Sequence, residues 1–179
     1  MAQNHALKAN KELARRFLDA VNNRLLDEMD RLLHLDFIWN TAVADDDGPN
    51  ELRPLVSERL KGTNLPHPKP RLNREETMQF MAGFLGEKTG GALKSVGWNK
   101  GDEAAEAPTD QGHMHVTILS MTAEEDRVAV EAKSTGIMNK LNGRKYGNFY
   151  HCLIRIKEGQ IVLYKEYQDT LHVYDYVTA

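Results

Sequence analysis

The sequence predicts an α+β protein in which helices pack on one face of a mostly antiparallel sheet. Apolar residues recur at helical spacing in the N-terminal part, whereas the C-terminal part reads as a meander of strands. With 179 residues, the chain is long enough for a substantial core, and we expect one domain over 1–179. The four C-terminal strands are predicted at roughly 112–122, 126–138, 145–157 and 160–170.

Four helices are predicted ahead of these strands, with a strand, "DFIWNTAV", after the second. The last of these helices begins at Asn73, because Asn73 and Glu76 have the spacing of a capping box. The apolar stripe of the first helix comprises Leu13, Phe17, Leu18 and Val21. The stripe of the second comprises Leu25, Leu26, Met29, Leu32 and Leu33.

Two loop insertions are expected, near 42–72 and near 86–111. The first contains a short predicted helix, "PLVSERLK" (54–61), and a stretch with three of the six prolines, "TNLPHPKPRLN". The second is rich in Gly, Glu and Ala, and we expect it to cover one mouth of the domain.

The composition narrows the class of protein. A formal net charge of −3 argues against a nucleic-acid-binding protein, which would normally show a basic stripe. No segment is apolar for long enough to span a bilayer or to act as a signal peptide, so no membrane partner is expected. The single cysteine, Cys152, cannot form an intrachain disulfide, and a reducing, cytoplasmic setting is expected.

The last hairpin decides which side chains share a face, since a shift of one residue reverses a strand. A two-residue turn at Glu158 and Gly159 would require positive φ at Glu158, which is costly. A three-residue loop that includes Lys157 requires positive φ only at Gly159, and we predict that loop. It places Tyr150 opposite Glu166, Asn148 opposite Gln168 and Cys152 opposite Tyr164.

The preceding hairpin completes the predicted face. An Asn142-Gly143 turn would place Thr135 opposite Tyr150. The predicted inner face then consists of Glu131, Lys133, Thr135, Tyr146, Asn148, Tyr150, Cys152, Tyr164, Glu166 and Gln168, with Tyr167 and Asp169 on the other side.

Residues 126 to 170 contain the pattern G-x-x-Y-x-N-x-Y followed by "EYQDT", and this region resembles the SnoaL-like, ketosteroid isomerase-like branch of the nuclear transport factor 2-like superfamily. The resemblance implies a cone-shaped α+β barrel (cystatin-like), whose curved sheet wraps an apolar pocket, and a homodimer built on the outer face of the sheet. It also implies a catalytic carboxylate at the position of Glu166. The epoxide hydrolases of this superfamily carry an arginine and an aspartate where this chain has Lys133 and Thr135, and a tyrosine and an asparagine at Trp39 and Thr41.

The candidate catalytic residues are Glu166 as base, Tyr150 as hydrogen-bond donor and His115 as a second acid/base partner. A structural pair of Glu166 with Lys133 or Tyr150 is the alternative. No metal site is expected, because the "HMH" pair lacks a third ligand. The candidate substrate-binding residues are Trp39, Thr41, His113, Lys133, Thr135, Asn148 and Tyr164.

These residues suggest a cofactor-independent isomerase, cyclase or dehydratase that acts on a small hydrophobic carbonyl compound, such as a steroid-like or polyketide-like ketone. No cofactor is expected, since GxGxxG and GxxxxGK[ST] motifs are absent. Two alternatives remain: a non-catalytic ligand-binding or dimeric scaffold domain, and an epoxide hydrolase-like enzyme.

Overall fold

The computed structural model describes residues 2–40, 71–85, 114–138, 145–169 and 172. The short helix predicted at 54–61 and the insertion predicted near 86–111 lie outside these residues. The insertion near 42–72 also lies outside them, except for its last two residues. A single domain over 1–179 stays a prediction.

Three helices and eight strands make up the described part of the chain. The helices are α1 (Ala2–Asn23), α2 (Leu26–Leu32) and α3 (Arg74–Leu85). The strands are β1 (Leu33–Asn40), β2 (Arg71–Asn73), β3 (His115–Glu124), β4 (Arg127–Thr135), β5 (Ile137–Met138), β6 (Lys145–Tyr146), β7 (Phe149–Lys157) and β8 (Gln160–Gln168). None of the helices described is both long and apolar enough to cross a membrane.

Six of the strands form one sheet in the order β2-β1-β8-β7-β4-β3, and β5 pairs with β6 separately. All neighbours in the large sheet are antiparallel except β1 and β8, which are parallel. The three helices pack on this sheet, which is unclosed in the described part of the chain. The predicted α+β architecture is therefore confirmed.

The first helix forms as its apolar spacing predicted. Its stripe is buried except for Leu13, which is partly buried, and the Phe17 ring lies 5.6 Å from the Tyr164 ring on β8. The second helix is shorter than predicted, because Leu25 precedes it and is exposed, while Leu33 already belongs to β1. Leu33 is fully buried, but as a residue of β1. It therefore belongs to the buried part of the sheet and not to the apolar stripe of the second helix.

The third helix begins at the predicted capping box. The Asn73 side-chain oxygen accepts a hydrogen bond from the Glu76 backbone N–H at 2.9 Å. The Glu76 carboxylate in turn accepts one from the Asn73 backbone N–H at 3.1 Å. Two N–H groups at the helix start are thereby satisfied reciprocally, which fixes α3 at the end of β2.

The last hairpin has a two-residue turn, and the prediction of a three-residue loop is wrong. Glu158 and Gly159 both have positive φ, at 54° and 77°, and Lys157 pairs with Gln160. Taken alone, this turn would point Glu166 away from the helices. However, the pairing passes from Ile156↔Ile161 to Arg155↔Leu163, so that one extra residue, Val162, is inserted in β8.

The extra residue restores the predicted face of β8. Glu166 lies opposite Cys152, and Tyr150 lies opposite Gln168, so the predicted pairing of Tyr150 with Glu166 is wrong by two residues. Glu166 is buried beneath the helices and Tyr167 is exposed on the other side. The inward orientation of Glu166 was therefore predicted correctly from an incorrect turn, because the errors in turn length and strand regularity cancelled.

The preceding hairpin does not have the predicted register. Ala132, not Thr135, lies opposite Tyr150, a shift of three residues. An odd shift reverses the face of β4. The ladder is interrupted at Gly136, whose φ is 101°, and β5 and β6 pair with Met138 opposite Lys145. The turn predicted at Asn142 and Gly143 lies outside the described residues.

Relief of the strained turn residue should stabilise the protein. Asparagine adopts positive φ more readily than glutamate and is favoured at this position of a two-residue turn. We expect E158N to raise the free energy of unfolding by roughly 0.5 to 1 kcal/mol in urea titrations. The matched control is E124N, at an exposed position within β3, which should give no increase. An equal gain in both variants would show that the turn conformation is not its source.

Candidate functional site

The inner face of the sheet has a carboxyl group near its centre. Glu166 is only 9% exposed and stands directly across from Cys152 on the neighbouring strand. Tyr164, two residues earlier on β8, shares this face. The Trp39 ring on β1 lies 6.0 Å from the Tyr164 ring and nearly perpendicular to it. Glu166 is thus placed among aromatic and apolar groups, as its predicted environment required.

Burial raises the pKa of Glu166 from its ordinary value of 4.5 to about 7. In the described parts of the chain, no hydrogen bond or ion pair compensates its carboxylate. The alternative pairing with Lys133 is not formed, since Lys133 is exposed on the outer face. A carboxyl group with this pKa exists in both protonation states near neutral pH, which is the condition for proton transfer in either direction.

Two pairs of polar side chains flank Glu166 on the inner face. The Tyr150 hydroxyl and the Ser134 hydroxyl are 2.9 Å apart, and either can donate. The Tyr164 hydroxyl and the Cys152 thiol are 3.0 Å apart, and again either can donate. In each pair, two neutral polar groups of neighbouring strands satisfy each other on the inner face.

The thiol and phenol next to Glu166 remain protonated. Burial, followed by the charge of Glu166, raises the pKa of Cys152 to about 12, although the hydrogen bond from Tyr164 acts in the opposite direction. Burial also raises the pKa of Tyr164 well above its ordinary value. Neither group therefore supplies a nucleophile at neutral pH, and both act as neutral hydrogen-bonding groups.

The Asn148 side chain is committed to the main chain. Its NH₂ group donates to the Asp169 carbonyl at 3.1 Å, and its oxygen accepts from the Phe149 N–H at 2.9 Å. It also accepts from the Asp169 N–H at 3.3 Å. These bonds connect the start of β7 to the end of β8, so Asn148 holds together the two strands that carry Tyr150 and Glu166.

Three predicted site residues lie on the opposite face of the sheet. His115 and Thr135 are paired neighbours, and both are exposed together with Lys133. Their predicted placement beside Glu166 is wrong because the register of the β4–β7 pair differs by an odd number of residues. Two other candidates, Thr41 and His113, lie outside the described residues.

Ser134 is the site residue that the sequence reasoning missed. Along β4, the residues at even positions are small or apolar and those at odd positions are mostly charged or polar, in "RVAVEAKST". The buried positions are Val128, Val130, Ala132 and Ser134. This alternation was a direct signal of the inner face, and it carried more information than the Asn-Gly turn.

The fold resembles that of several solved structures. A protein from Jannaschia sp. CCS1 assigned to the SnoaL-like polyketide cyclases superimposes with a TM-score of 0.60 at 15% identity, covering 96% of this chain and 93% of that one. An epoxide hydrolase from M. tuberculosis that resembles limonene epoxide hydrolase gives 0.59 at 13% identity, covering 95% and 90%. A nuclear transport factor 2-like protein of unknown function from Burkholderia pseudomallei K96243 gives 0.58 at 16% identity, covering 96% and 98%.

These similarities match the resemblance seen in the sequence, and the chain has the nuclear transport factor 2-like α+β fold. No protein-family model matches the sequence. No curated protein matches it either. At identities below 20%, the structural comparisons concern the fold and leave the reaction open.

The buried carboxyl should make stability depend on pH. Between its ordinary value of 4.5 and a folded-state pKa of about 7, the unfolded chain loses the proton of Glu166 while the folded chain keeps it. The stability associated with this group is therefore full below pH 4.5 and is lost as pH rises to 7, a total of about 3 kcal/mol.

The E166Q variant should lack this loss. Urea unfolding at pH 5 and pH 8 measures the difference, and the variant should gain relative to wild type by up to about 3 kcal/mol at the higher pH. The exposed-carboxylate control is E131Q, on the outer face. Parallel pH profiles for wild type and E166Q would contradict a neutral, desolvated Glu166.

Proposed function

We propose that this protein is a cofactor-independent acid/base enzyme acting on a small hydrophobic carbonyl compound, with Glu166 as the proton-transferring group. The supporting observation is the buried carboxyl with a pKa of about 7 and no compensating partner in the described residues. A base whose pKa lies close to the working pH combines a useful ionised fraction with sufficient basicity.

Proton abstraction next to a carbonyl is the reaction that this arrangement suits. The Glu166 carboxylate takes a proton from the carbon beside the substrate carbonyl, and the electron pair of that C–H bond moves to form an enolate. The Tyr150 hydroxyl donates a hydrogen bond to the enolate oxygen, where negative charge develops. The protonated Glu166 then returns the proton to the substrate at the same or another carbon, so no external reductant or oxidant is needed.

Isomerisation, dehydration and aldol-type cyclisation all proceed through such an enolate. A steroid-like or polyketide-like ketone would suit the apolar surroundings formed by Trp39 and Tyr164. The similarity to a protein assigned to the polyketide cyclases supports a scaffold for this chemistry. Epoxide opening is less favoured, because the inner face of β4 presents Ala132 and Ser134, with neither arginine nor aspartate.

We also propose a homodimer formed through the outer face of the sheet. Phe149 is 72% exposed there, although it is a large apolar residue. Tyr167, on the next strand, is also exposed, and its ring lies 6.4 Å from that of His151. A second copy would bury these aromatic groups.

The cytoplasmic setting expected from the single cysteine stays a prediction.

Enolisation can be tested without knowledge of the natural substrate. We expect the protein to accelerate the exchange of the α-hydrogens of 2-tetralone in D₂O, followed by NMR. E166Q should reduce the protein-catalysed rate by about 10²- to 10⁴-fold, because the base is removed while the shape is kept. The wild-type rate should rise with pH with an apparent pKa near 7.

The exposed control for this experiment is E131Q, which should exchange 2-tetralone at the wild-type rate. Y150F tests the donor and should lower the rate by about 10²-fold without moving the pH profile. Binding of 2-tetralone with no accelerated exchange would refute the acid/base function and favour a ligand-binding domain. An E166Q rate equal to that of wild type would exclude Glu166 as the base.

The dimer is tested by sedimentation. We expect the wild-type protein to sediment as a dimer and F149E to sediment as a monomer, because a charge would be buried in the interface without a partner. L25E is the control, since Leu25 is likewise exposed but is not on the sheet. A dimeric F149E protein would show that Phe149 is not in the interface, and a monomeric wild type would refute the dimer itself.

A further inference from the structure

Four buried side-chain polar atoms have no hydrogen-bond partner in the described part of the chain, and two of them belong to neighbouring parts of α3 and β1. Among the described residues, the indole nitrogen Nε1 of Trp39 and the hydroxyl of Thr77 have no hydrogen-bond partner, although both atoms are buried. Trp39 is 8% exposed and Thr77 is 1% exposed. Buried side-chain polar atoms are nearly always paired in native proteins, because an unpaired group loses its bonds to water without compensation. These two groups are therefore candidates for bonding a ligand.

Trp39 lies on the same inner face of the sheet as Glu166, next to Tyr164. In the parallel pair of β1 and β8, Trp39 is the direct partner of Tyr164. Glu166 stands two residues further along the same face of β8. From strand spacing and rise, the Cα atoms of Trp39 and Glu166 are separated by roughly 8 Å. A molecule of bicyclic size could contact both residues at once.

Thr77 belongs to the side of α3 that faces Trp39. The Phe80 ring, three residues after Thr77, meets the Trp39 ring edge-on at 5.3 Å. Residues three apart lie on the same side of a helix, one above the other. Thr77 is buried, on the same side of α3 as Phe80.

We propose that Trp39 and Thr77 bind oxygen substituents of the substrate that are remote from the reacting carbonyl. The indole N–H would donate to a ligand oxygen, and the Thr77 hydroxyl could donate to or accept from one. The substrate would then be an apolar ring compound with at least two oxygens, such as a hydroxyketone or a dicarbonyl, and not a simple monoketone. This proposal rests on the proposed function for the identity of the reacting end.

Phenols that imitate an enol provide the probes. We would titrate the protein with 2-naphthol and with the 1,6-, 2,6- and 2,7-isomers of naphthalenediol, using calorimetry. At least one diol should bind wild type about tenfold more tightly than 2-naphthol, a gain of about 1.4 kcal/mol. In T77V, in W39F or in both, the affinity for this diol should exceed that for 2-naphthol by only about twofold or less. T77V should bind 2-naphthol as tightly as wild type does.

The free protein gives a second, independent measurement. Valine has the shape of threonine without the hydroxyl, so T77V removes an unpaired buried group and should raise the melting temperature by about 3 °C. The control T122V, at an exposed position of β3, should change neither the melting temperature to this extent nor the diol preference. Stabilisation with loss of preference is the result that distinguishes a ligand group from a structural one.

Two results would overturn this proposal: wild type does not prefer any of the diols, or the preference persists in both T77V and W39F. Both are distinct from failure of the acid/base function. If exchange of 2-tetralone depends on Glu166 but wild type does not prefer any diol, only the proposed oxygen-binding role of Trp39 and Thr77 is rejected. A diol preference lost in T77V, with no catalysed exchange, would reject only the enzyme.

Discussion

One unpaired residue in β8 determines the chemistry available to this protein. Val162 is inserted where the pairing passes from Ile161 to Leu163, and everything beyond it on the strand is turned by one position. The two-residue turn before it would otherwise direct Glu166 to the outer face and Tyr167 to the interior. A bulge that re-aims a side chain beside a functional site is a recurrent use of this irregularity.

Desolvation of the inward-facing Glu166 carboxyl lowers the stability of the folded protein. The same desolvation raises the pKa of this group into the range that suits proton transfer. Desolvation raises its pKa to about 7, because an ionised carboxylate loses its bonds to water beneath the helices. A buried salt bridge would remove this cost and would also remove the reactivity. Ser134 and Cys152 instead pair with tyrosine hydroxyls, so the neighbours of Glu166 are neutral and the carboxyl itself is left uncompensated by the described residues.

The two faces of the sheet differ in the side chains that they present. In the described part of the chain, the inner face carries aromatic rings, neutral hydroxyls and the carboxyl of Glu166, which is the surface that the proposed apolar substrate requires. The outer face carries charged and aromatic groups, among them Lys165, whose ammonium lies 5.8 Å from the Tyr167 ring. The proposed substrate site and the proposed dimer contact therefore lie on opposite faces of the sheet. A substitution in one of them does not touch the side chains of the other.

Local patterns were sufficient for the elements and for their order. The stripe of α1, the capping box of Asn73 and Glu76, and the strand meander each depend on residues a few positions apart, which the sequence displays directly. The similarity of residues 126 to 170 to a known superfamily agreed with the fold. The alternation of apolar and polar residues along β4 also indicates its buried face. The predicted register was instead based on the Asn-Gly dipeptide, and it was wrong for this reason.

Register was decided only by the tertiary structure. The break at Gly136 and the extra residue at Val162 arise from how whole strands twist and pair, and no short pattern announces either one. The burial of Glu166 and the unpaired groups of Trp39 and Thr77 likewise depend on helices and strands distant in the chain. The residue types alone therefore indicated that acid/base chemistry was possible. Long-range packing decided which side chains lie together on the inner face of the sheet.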